Sequence, residues 1–213
     1  MKLFTVGPTQ MRKEILDVRH QQVPYFRTDE FSDVMLDSDR LLKKFMNAPS
    51  GAKSIYLTAS GTGGLEATIM NCMNETDHAL VINGGTFGQR FVDLCELHGI
   101  PHTAIKLHDD EQLIDGEALT ANHFAAVEEQ AFTFVIANID ETSTAQLYDI
   151  HLLSDFAKKK NAYLVIDAIS SFLIDPYDMA GNGIDVTIIS SQKGLCIAPG
   201  LSPIVVSERL YED

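Results

Sequence analysis

The stretch SIYLTASGTGGLEATIMNCM, residues 54–73, decides the fold class. Residues 54–58 are rich in β-branched, aromatic and other apolar side chains and predict a short strand, whereas the glycines at 61–64 predict a turn. The apolar residues from Leu65 to Met73 then predict a helix. A strand, a tight turn and a helix in this order form the unit that builds mostly parallel sheets covered by helices.

The same order recurs along the chain. Residues 79–82 predict a strand, Gly84 and Gly85 a turn, and residues 87–98 a helix that Gly99 ends. Further strands are predicted at 102–107, 132–137, 163–166, 185–189 and 204–206, and further helices at 31–46, 117–129 and 152–160. We therefore expect an α/β fold, a three-layer αβα arrangement with a mostly parallel sheet, in which everything from about residue 50 onward forms one domain.

Composition excludes some classes of partner. The 213 residues carry 16 Lys and Arg against 30 Asp and Glu, a net charge of −14, so a nucleic-acid groove or an anionic membrane surface is not expected.

No apolar run reaches the length of a membrane span, and Gly7-Pro8 leaves no room for a signal-peptide core. Cys72, Cys95 and Cys196 are too far apart for a Cys-x-x-Cys pair, and their odd number favours the cytoplasm. The acidic run at 108–111 is interpreted as an exposed turn, and no metal site is predicted.

Polar residues just after buried strands are the candidates for a site, because ligands of such sheets bind at the carboxyl ends of the strands. The run from Thr58 to Gly64 is either a plain tight turn or an anion cradle at the start of a helix. It lacks the third glycine of a dinucleotide fingerprint and the Lys-Ser pair of a P-loop. The run at 140–144 is uninformative by itself.

Asp167 and Lys193 also follow buried strands. A carboxylate such as Asp167 needs a cation or strong donors, which a helix cap, an ion pair or a ligand would supply. Lys193 is either a solvated charge or an amine that forms a Schiff base. The spacing Ser190-x-x-Lys193 also matches penicillin-binding proteins, but their companion motifs are absent. Together, a phosphate cradle, a strand-end carboxylate and a lysine are what pyridoxal 5′-phosphate requires.

Six ordered motifs carry a family resemblance that covers nearly the whole chain. They are FTVGPT at 4–9, SGTGGLEA at 60–67, NGGTFGQR at 83–90, DETST at 140–144, DAISS at 167–171 and SQKG at 191–194. The chain resembles the class V aminotransferases, in the branch of alanine–glyoxylate, serine–pyruvate and 2-aminoethylphosphonate–pyruvate enzymes. This resemblance implies the large domain of the fold type I transferases, pyridoxal 5′-phosphate as cofactor, an amino donor and a 2-oxo acid as substrates, and a homodimer.

The resemblance also implies roles for individual residues. The family pattern assigns the Schiff-base lysine to Lys193 and the partner of the pyridine nitrogen to Asp167. It assigns the cofactor contacts to the phosphate-binding residues Ser60, Gly61, Thr62 and Gln192, the stacking residue Phe87, and Thr142 at the phenolic oxygen of the ring. Gly7 and Pro8 match a strap, residues 1–30, that passes near the substrate, while residues 31–213 match the large cofactor-binding domain.

The chain departs from the family pattern at Ile139, where many members have histidine, at Ala145 and at Phe26. A C-terminal small domain, which supplies the arginine for the substrate carboxylate in relatives, is expected to be missing from this chain. The alternatives are a lyase or cysteine desulfurase of the same fold, for which none of the three cysteines has a suitable context, and a truncated cofactor-binding paralogue without catalytic activity.

Overall fold

The computed structural model describes residues 2–108 and 117–213. Its strands are Lys53–Leu57 (β1), Ala79–Asn83 (β2), His102–Lys106 (β3), Phe134–Asn138 (β4), Asp140–Glu141 (β5), Gln146–Leu147 (β6), Tyr163–Asp167 (β7), Val186–Ile188 (β8) and Ser202–Val206 (β9). Its helices are Lys13–Arg19 (α1), Asp29–Phe45 (α2), Gly61–Cys72 (α3), Thr86–Leu97 (α4), Ala121–Ala125 (α5), Ile150–Lys160 (α6) and Glu208–Tyr211 (α7).

One sheet organises the described chain, with the strand order β1-β9-β8-β7-β4-β2-β3. All neighbouring pairs in it are parallel except those of β9, which runs antiparallel to both β1 and β8. Because β9 is antiparallel to both of its neighbours, and β8 is parallel to β7, the strands β1 and β8 run in the same direction as the other parallel strands. The carboxyl ends of β1, β2, β4, β7 and β8 therefore meet at one edge of the sheet.

Helices cover both faces of this sheet. The central strands β2 and β4 are buried along their whole length, as expected for strands covered on both sides. Leu80 and Ile82 pack with α2 and α6, whereas Ala79 and Val81, on the opposite face, pack with α3 and α4. The predicted three-layer αβα class is thus confirmed.

The start of α3 differs from the sequence-based expectation. The glycine run predicted as a turn is the first turn of the helix, which begins at Gly61 rather than at Leu65. The hydroxyl of Ser60 caps it by accepting a hydrogen bond from the Gly63 N–H at 3.2 Å. Gly64 allows α3 to lie close to the sheet, because an added Cβ there would stand 2.2 Å from Ser202 Oγ. The helix forms here although glycine is a poor helix former, because close packing against the sheet outweighs the low helix propensity of these residues.

Other described elements, among them the short helix α7, were not predicted or were predicted too long. The α1 helix has no buried residue, so it carries no apolar stripe for a sequence pattern to reveal. The β5–β6 hairpin has two-residue strands, which are too short to show alternation. The helix predicted at 117–129 is limited to the five residues of α5. Most of the acidic run at 108–111 lies outside the described residues.

Within residues 2–108 and 117–213, none of the helices is long and apolar enough to cross a membrane.

Candidate active site

The loops at the carboxyl edge of the sheet enclose a cavity of about 240 Å³. Every residue that the motifs predicted for the cofactor lines it, namely Ser60, Gly61, Thr62, Phe87, Thr142, Asp167, Gln192 and Lys193. Gly7 and Pro8 do not line it. Other lining residues, chiefly Arg90, Asp140 and Ser170, are ones to which the motifs assign no role. Strand ends that are far apart in the sequence are adjacent here because their strands are parallel.

The amino end of α3 forms one wall of the cavity. Its first-turn N–H groups have no helical carbonyl partners, and the helix dipole places partial positive charge at this end. Thr62 lies in this turn, and its Oγ1 accepts a hydrogen bond of 2.8 Å from Arg90 Nη1 of α4. Two hydroxyl-bearing residues, free backbone donors and a guanidinium therefore converge on this wall, which is a donor set suited to an anion.

Asp167, at the end of β7, lines the same cavity and is 4% exposed. Its Oδ1 accepts a hydrogen bond of 2.8 Å from the Ile169 N–H. Burial raises the pKa of the Asp167 carboxyl to about 7; the Ile169 N–H opposes this rise, the Glu141 charge adds to it, and Lys193 and Arg90 oppose it. Across residues 2–108 and 117–213, no cation lies within salt-bridge distance of Asp167. The cavity thus contains a buried carboxylate that lacks an ion-pair partner.

The loop after β8 places Gln192 and Lys193 on the cavity wall. Ser190 Oγ donates a hydrogen bond of 2.6 Å to Gln192 Oε1, so the amide nitrogen of Gln192 is left to face other acceptors. The hydroxyls of Thr142 and Ser170, which also line the cavity, are hydrogen-bonded at 2.8 Å. These two pairs fix the orientation of side chains that the motifs had singled out only by type.

The N-terminal segment lies against the backbone of this loop. The Thr9 N–H donates a hydrogen bond of 3.0 Å to the Gln192 carbonyl, and the Thr9 hydroxyl contacts the Gln192 and Lys193 carbonyls at 3.3 Å. Gly7 has a φ of +143°, and an added Cβ there would stand 2.7 Å from Lys193 Cδ. A glycine is needed because the segment passes directly over the lysine side chain. Gly7 therefore adjoins the cavity through Lys193 rather than by lining it.

Glu141, in β5, stabilises the start of α4, where Phe87 lines the cavity. The N-cap of α4 is Gly85, which has no side chain to cap the helix. Instead, the fully buried carboxylate of Glu141 accepts hydrogen bonds from the backbone N–H groups of Phe87 and Gly88 at 3.4 and 2.9 Å. It also accepts bonds from Asn138 Nδ2 and from the N–H and hydroxyl of Ser143. The β5–β6 hairpin thus supplies the missing cap and fixes the position of Phe87.

Glu141→Ala should lower the free energy of unfolding by about 3 kcal/mol, because it leaves several buried donors without an acceptor. Urea denaturation followed by circular dichroism measures this loss. Glu129→Ala is the matched control; Glu129 is exposed, and its removal should change the free energy by no more than about 0.5 kcal/mol. Equal effects of the two substitutions would contradict the capping role.

Asp140 is a second carboxylate of the cavity, and it is half-buried. Burial raises the pKa of its carboxyl, Asp175 and Glu141 raise it further, and Lys193 opposes the rise. The sequence alone gave no signal for this placement, because Asp140 follows β4 in a run of ordinary polar residues. Its effect is to place negative charge near the lysine amine.

The order and geometry of these residues agree with a comparison against protein families. A model of the family described as aminotransferase class V matches residues 16–213. The chain belongs to this family. Membership confirms the family predicted from the six motifs, and with it the expected cofactor of the class V aminotransferases, pyridoxal 5′-phosphate. All the cavity residues that the motifs singled out fall within the matched range, whereas Gly7 and Pro8, which do not line the cavity, precede it.

Individual relatives agree with this membership. The chain is 30% identical over 217 residues to the 42 kDa subunit of a soluble hydrogenase of Anabaena cylindrica, covering all of this chain and 55% of that protein. It is 26% identical over 216 residues to the L-aspartate–glyoxylate aminotransferase of Paracoccus denitrificans, covering 99% of this chain and 53% of that protein. Both comparisons extend across the whole cavity-forming region.

A solved structure shares the fold. The aspartate aminotransferase of subgroup IV from Thermus thermophilus superimposes with a TM-score of 0.88 at 25% identity, over 100% of this chain and 58% of that one. The chain thus spans little more than half the length of these relatives.

Proposed function

We propose that the chain carries the cofactor site of an aminotransferase that moves an amino group from a small amino acid or aminophosphonate to a 2-oxo acid such as pyruvate or glyoxylate. One observation carries the proposal. A buried carboxylate without an ion pair, Asp167, shares a single cavity with Lys193 and with the amino end of α3. Pyridoxal 5′-phosphate has a ring nitrogen, an aldehyde and a phosphate, which match these three features in chemistry.

The residues present fit this cofactor. Asp167 is costly to bury as an anion, and a protonated ring nitrogen would place a cation in direct contact with it, closer than Lys193 and Arg90, which form no salt bridge with it within residues 2–108 and 117–213. The first turn of α3, with Ser60, Gly61 and Thr62, would hold the phosphate, and the Gln192 amide nitrogen would add a donor. Phe87 would cover one face of the ring, and Thr142 would hydrogen-bond its phenolic oxygen.

When bound, the cofactor supplies an aldehyde that takes up amines and a ring that accepts electrons from the bond being broken. Lys193 is the amine of the cavity that holds the aldehyde. Displaced by the amino donor, Lys193 Nζ would be free to take the proton from the α-carbon of the donor and to deliver it to the former aldehyde carbon of the cofactor. Asp167 would keep the ring nitrogen protonated. Water would supply the oxygen of the carbonyl product while the amino group stays on the cofactor, and a 2-oxo acid would then take up that amino group by the reverse sequence.

A single-turnover assay tests this function. The chain is loaded with pyridoxal 5′-phosphate and mixed in turn with alanine, serine, aspartate and 2-aminoethylphosphonate, and products are quantified by mass spectrometry. We expect at least one donor to give about one carbonyl product per bound cofactor, and added pyruvate or glyoxylate to recover the amino group. Binding of the cofactor without any carbonyl product would support the non-catalytic paralogue instead.

Cysteine chemistry offers little support for the desulfurase alternative. Burial raises the pKa of the Cys72 and Cys95 thiols to about 11, which makes thiolates scarce at neutral pH. None of the three cysteines lines the cavity. Release of sulfide from cysteine by the loaded chain would nevertheless favour the desulfurase.

We propose that the chain assembles as a homodimer and that residues 1–30 form a strap over the site of a large domain, residues 31–213. The apolar side chains of Val34, Leu36, Leu41 and Phe45 are exposed on α2. Beside them lies an apolar groove of about 400 Å³. Exposed apolar surface of this kind favours a protein interface. Three unpaired cysteines favour the cytoplasm as the compartment.

The dimer predicts a molecular mass near twice 23.5 kDa in sedimentation at micromolar concentration. Charged substitutions in the groove, such as Leu41→Glu, should shift the mass to the monomer because they place charge in the interface. A strictly monomeric wild-type chain that still binds the cofactor tightly would contradict the dimer.

A further inference from the structure

Arg90 is the cationic side chain of the cavity to which neither the motifs nor the family comparison gives a role. It lies on α4 and lines the cavity, and its guanidinium carbon stands 5.4 Å from the centre of the Phe87 ring. Its Nη1 donates to Thr62 Oγ1 at 2.8 Å. Among residues 2–108 and 117–213, no carboxylate forms a salt bridge with it. Its charge is thus left for the cavity and for whatever anion binds there.

The Arg90–Thr62 bond fixes the role of the Thr62 hydroxyl. A guanidinium has only donors, so Thr62 Oγ1 must be the acceptor in this bond. A threonine hydroxyl has one hydrogen, which remains available for another acceptor. Thr68, further along α3, shows what a helical threonine hydroxyl usually does with its hydrogen: it donates to the carbonyl four residues earlier, that of Gly64, at 2.9 Å. Thr62 makes no such bond in the structure.

We infer that Arg90 is a positioning residue for the phosphate of the cofactor, acting through Thr62: it occupies a lone pair of Thr62 Oγ1 and so leaves the hydroxyl hydrogen to be donated to a phosphate oxygen. The inference rests on the proposed function and extends it from the motif residues to the pairing of α3 with α4. Arg90 also adds positive charge at the same wall, beside the amino end of α3.

Affinities for pyridoxal 5′-phosphate and for pyridoxal, which lacks the phosphate, separate a phosphate role from a structural one. The dissociation constants are measured by absorbance titration for the wild type, Arg90→Met, Thr62→Val and the double variant. We expect Arg90→Met and Thr62→Val each to weaken binding of the phosphorylated form about tenfold, a factor that corresponds to about 1.4 kcal/mol. Binding of pyridoxal should change less than about twofold, since it lacks the group that Thr62 holds.

The double variant tests whether Arg90 acts through Thr62. Its affinity should be within about threefold of that of Thr62→Val, because the second substitution removes an effect already lost. Arg90→Lys, which retains a donor and the charge, should recover part of the affinity. Arg40→Met is the matched control; Arg40 pairs with Asp37 on the exposed face of α2, and its loss should leave both affinities unchanged. Arg90→Lys and Thr62→Val keep the test decisive if Arg90→Met does not fold.

Three outcomes would overturn the inference: equal losses for the phosphorylated and unphosphorylated ligands, losses that multiply in the double variant, or unchanged affinity in all variants. Failure of the proposed function is distinguishable from these. In that case the wild-type chain itself would fail to bind pyridoxal 5′-phosphate, and borohydride would trap no cofactor on it. A wild type that binds and is trapped, with Arg90 variants that behave identically, would overturn only the role of Arg90.

Discussion

Lys193→Ala should lower the rate of single-turnover amino transfer by about a thousandfold or more, the largest effect expected of any substitution in the chain. The reason is that Lys193 lines the cavity and, in the proposed function, both holds the cofactor aldehyde and moves the proton of the donor. The rate is measured by rapid mixing of the cofactor-loaded protein with the best amino donor. The variant should still bind the cofactor non-covalently, because the α3 wall and Asp167 are intact.

Lys44→Ala is the matched control for this result. Lys44 is exposed in the last turn of α2 and lies outside the cavity, so its removal should leave the rate unchanged. Added methylamine, a small external amine, should recover part of the lost rate if the missing group is only a proton carrier. A Lys193→Ala protein that transfers the amino group at the wild-type rate would contradict the assignment.

Asp167→Asn should have two opposite effects, a loss of amino transfer by about a hundredfold or more and a gain in stability of the cofactor-free protein above pH 7. The amide cannot keep a ring nitrogen protonated, which removes the electron-accepting character of the cofactor. The gain in stability arises because the pKa of Asp167 is raised to about 7 by burial. The folded protein therefore favours the protonated carboxyl more strongly than the unfolded chain does.

The sign of the pH dependence follows from this difference. Between about pH 4 and pH 7 the folded state binds more protons at Asp167 than the unfolded state, so stability from this group falls as pH rises. Each pKa unit corresponds to about 1.4 kcal/mol, which makes the contribution a few kcal/mol above pH 7. Removing the charge with asparagine should flatten this fall. The ionised carboxylate of Asp167 is therefore expected to lower the stability of the cofactor-free chain at neutral and higher pH.

Urea denaturation of the cofactor-free proteins at pH 5 and pH 8 measures this effect. Asp167→Asn should be more stable than the wild type at pH 8 and nearly equal to it at pH 5. Asp155→Asn, at an exposed position on α6, is the control and should follow the wild type at both pH values. A variant that is less stable than the wild type at pH 8 would contradict an unpaired buried carboxylate at this position.

The strands could be predicted well from the sequence because their apolar runs are buried on both faces. The run at 163–166, which ends on Asp167, matches β7 to within a residue. The parallel arrangement then brings Asp167, Thr142 and Lys193 to one edge without any further information. The motif residues of the cofactor site follow from that arrangement, which explains why they all line the same cavity.

The remaining features could not be predicted because they depend on contacts between elements that are distant in the sequence. Arg90 belongs to the motif at 83–90, but its hydrogen-bond partner Thr62 is on another helix. Only the packing of α3 against α4 brings the two side chains into contact. Glu141 caps α4 from a hairpin whose strands are too short to be seen as a pattern. The start of α3 at Gly61 depends on close packing against Ser202, which no local propensity contains.

The proposed function requires that this cavity holds pyridoxal 5′-phosphate with Lys193 as its point of attachment. The most direct test is to incubate the wild-type chain with the cofactor, reduce it with borohydride, digest it and locate the added mass by peptide mass spectrometry. We expect one reduced cofactor per chain, attached to Lys193. Attachment at another lysine, or no attachment at all, would contradict it.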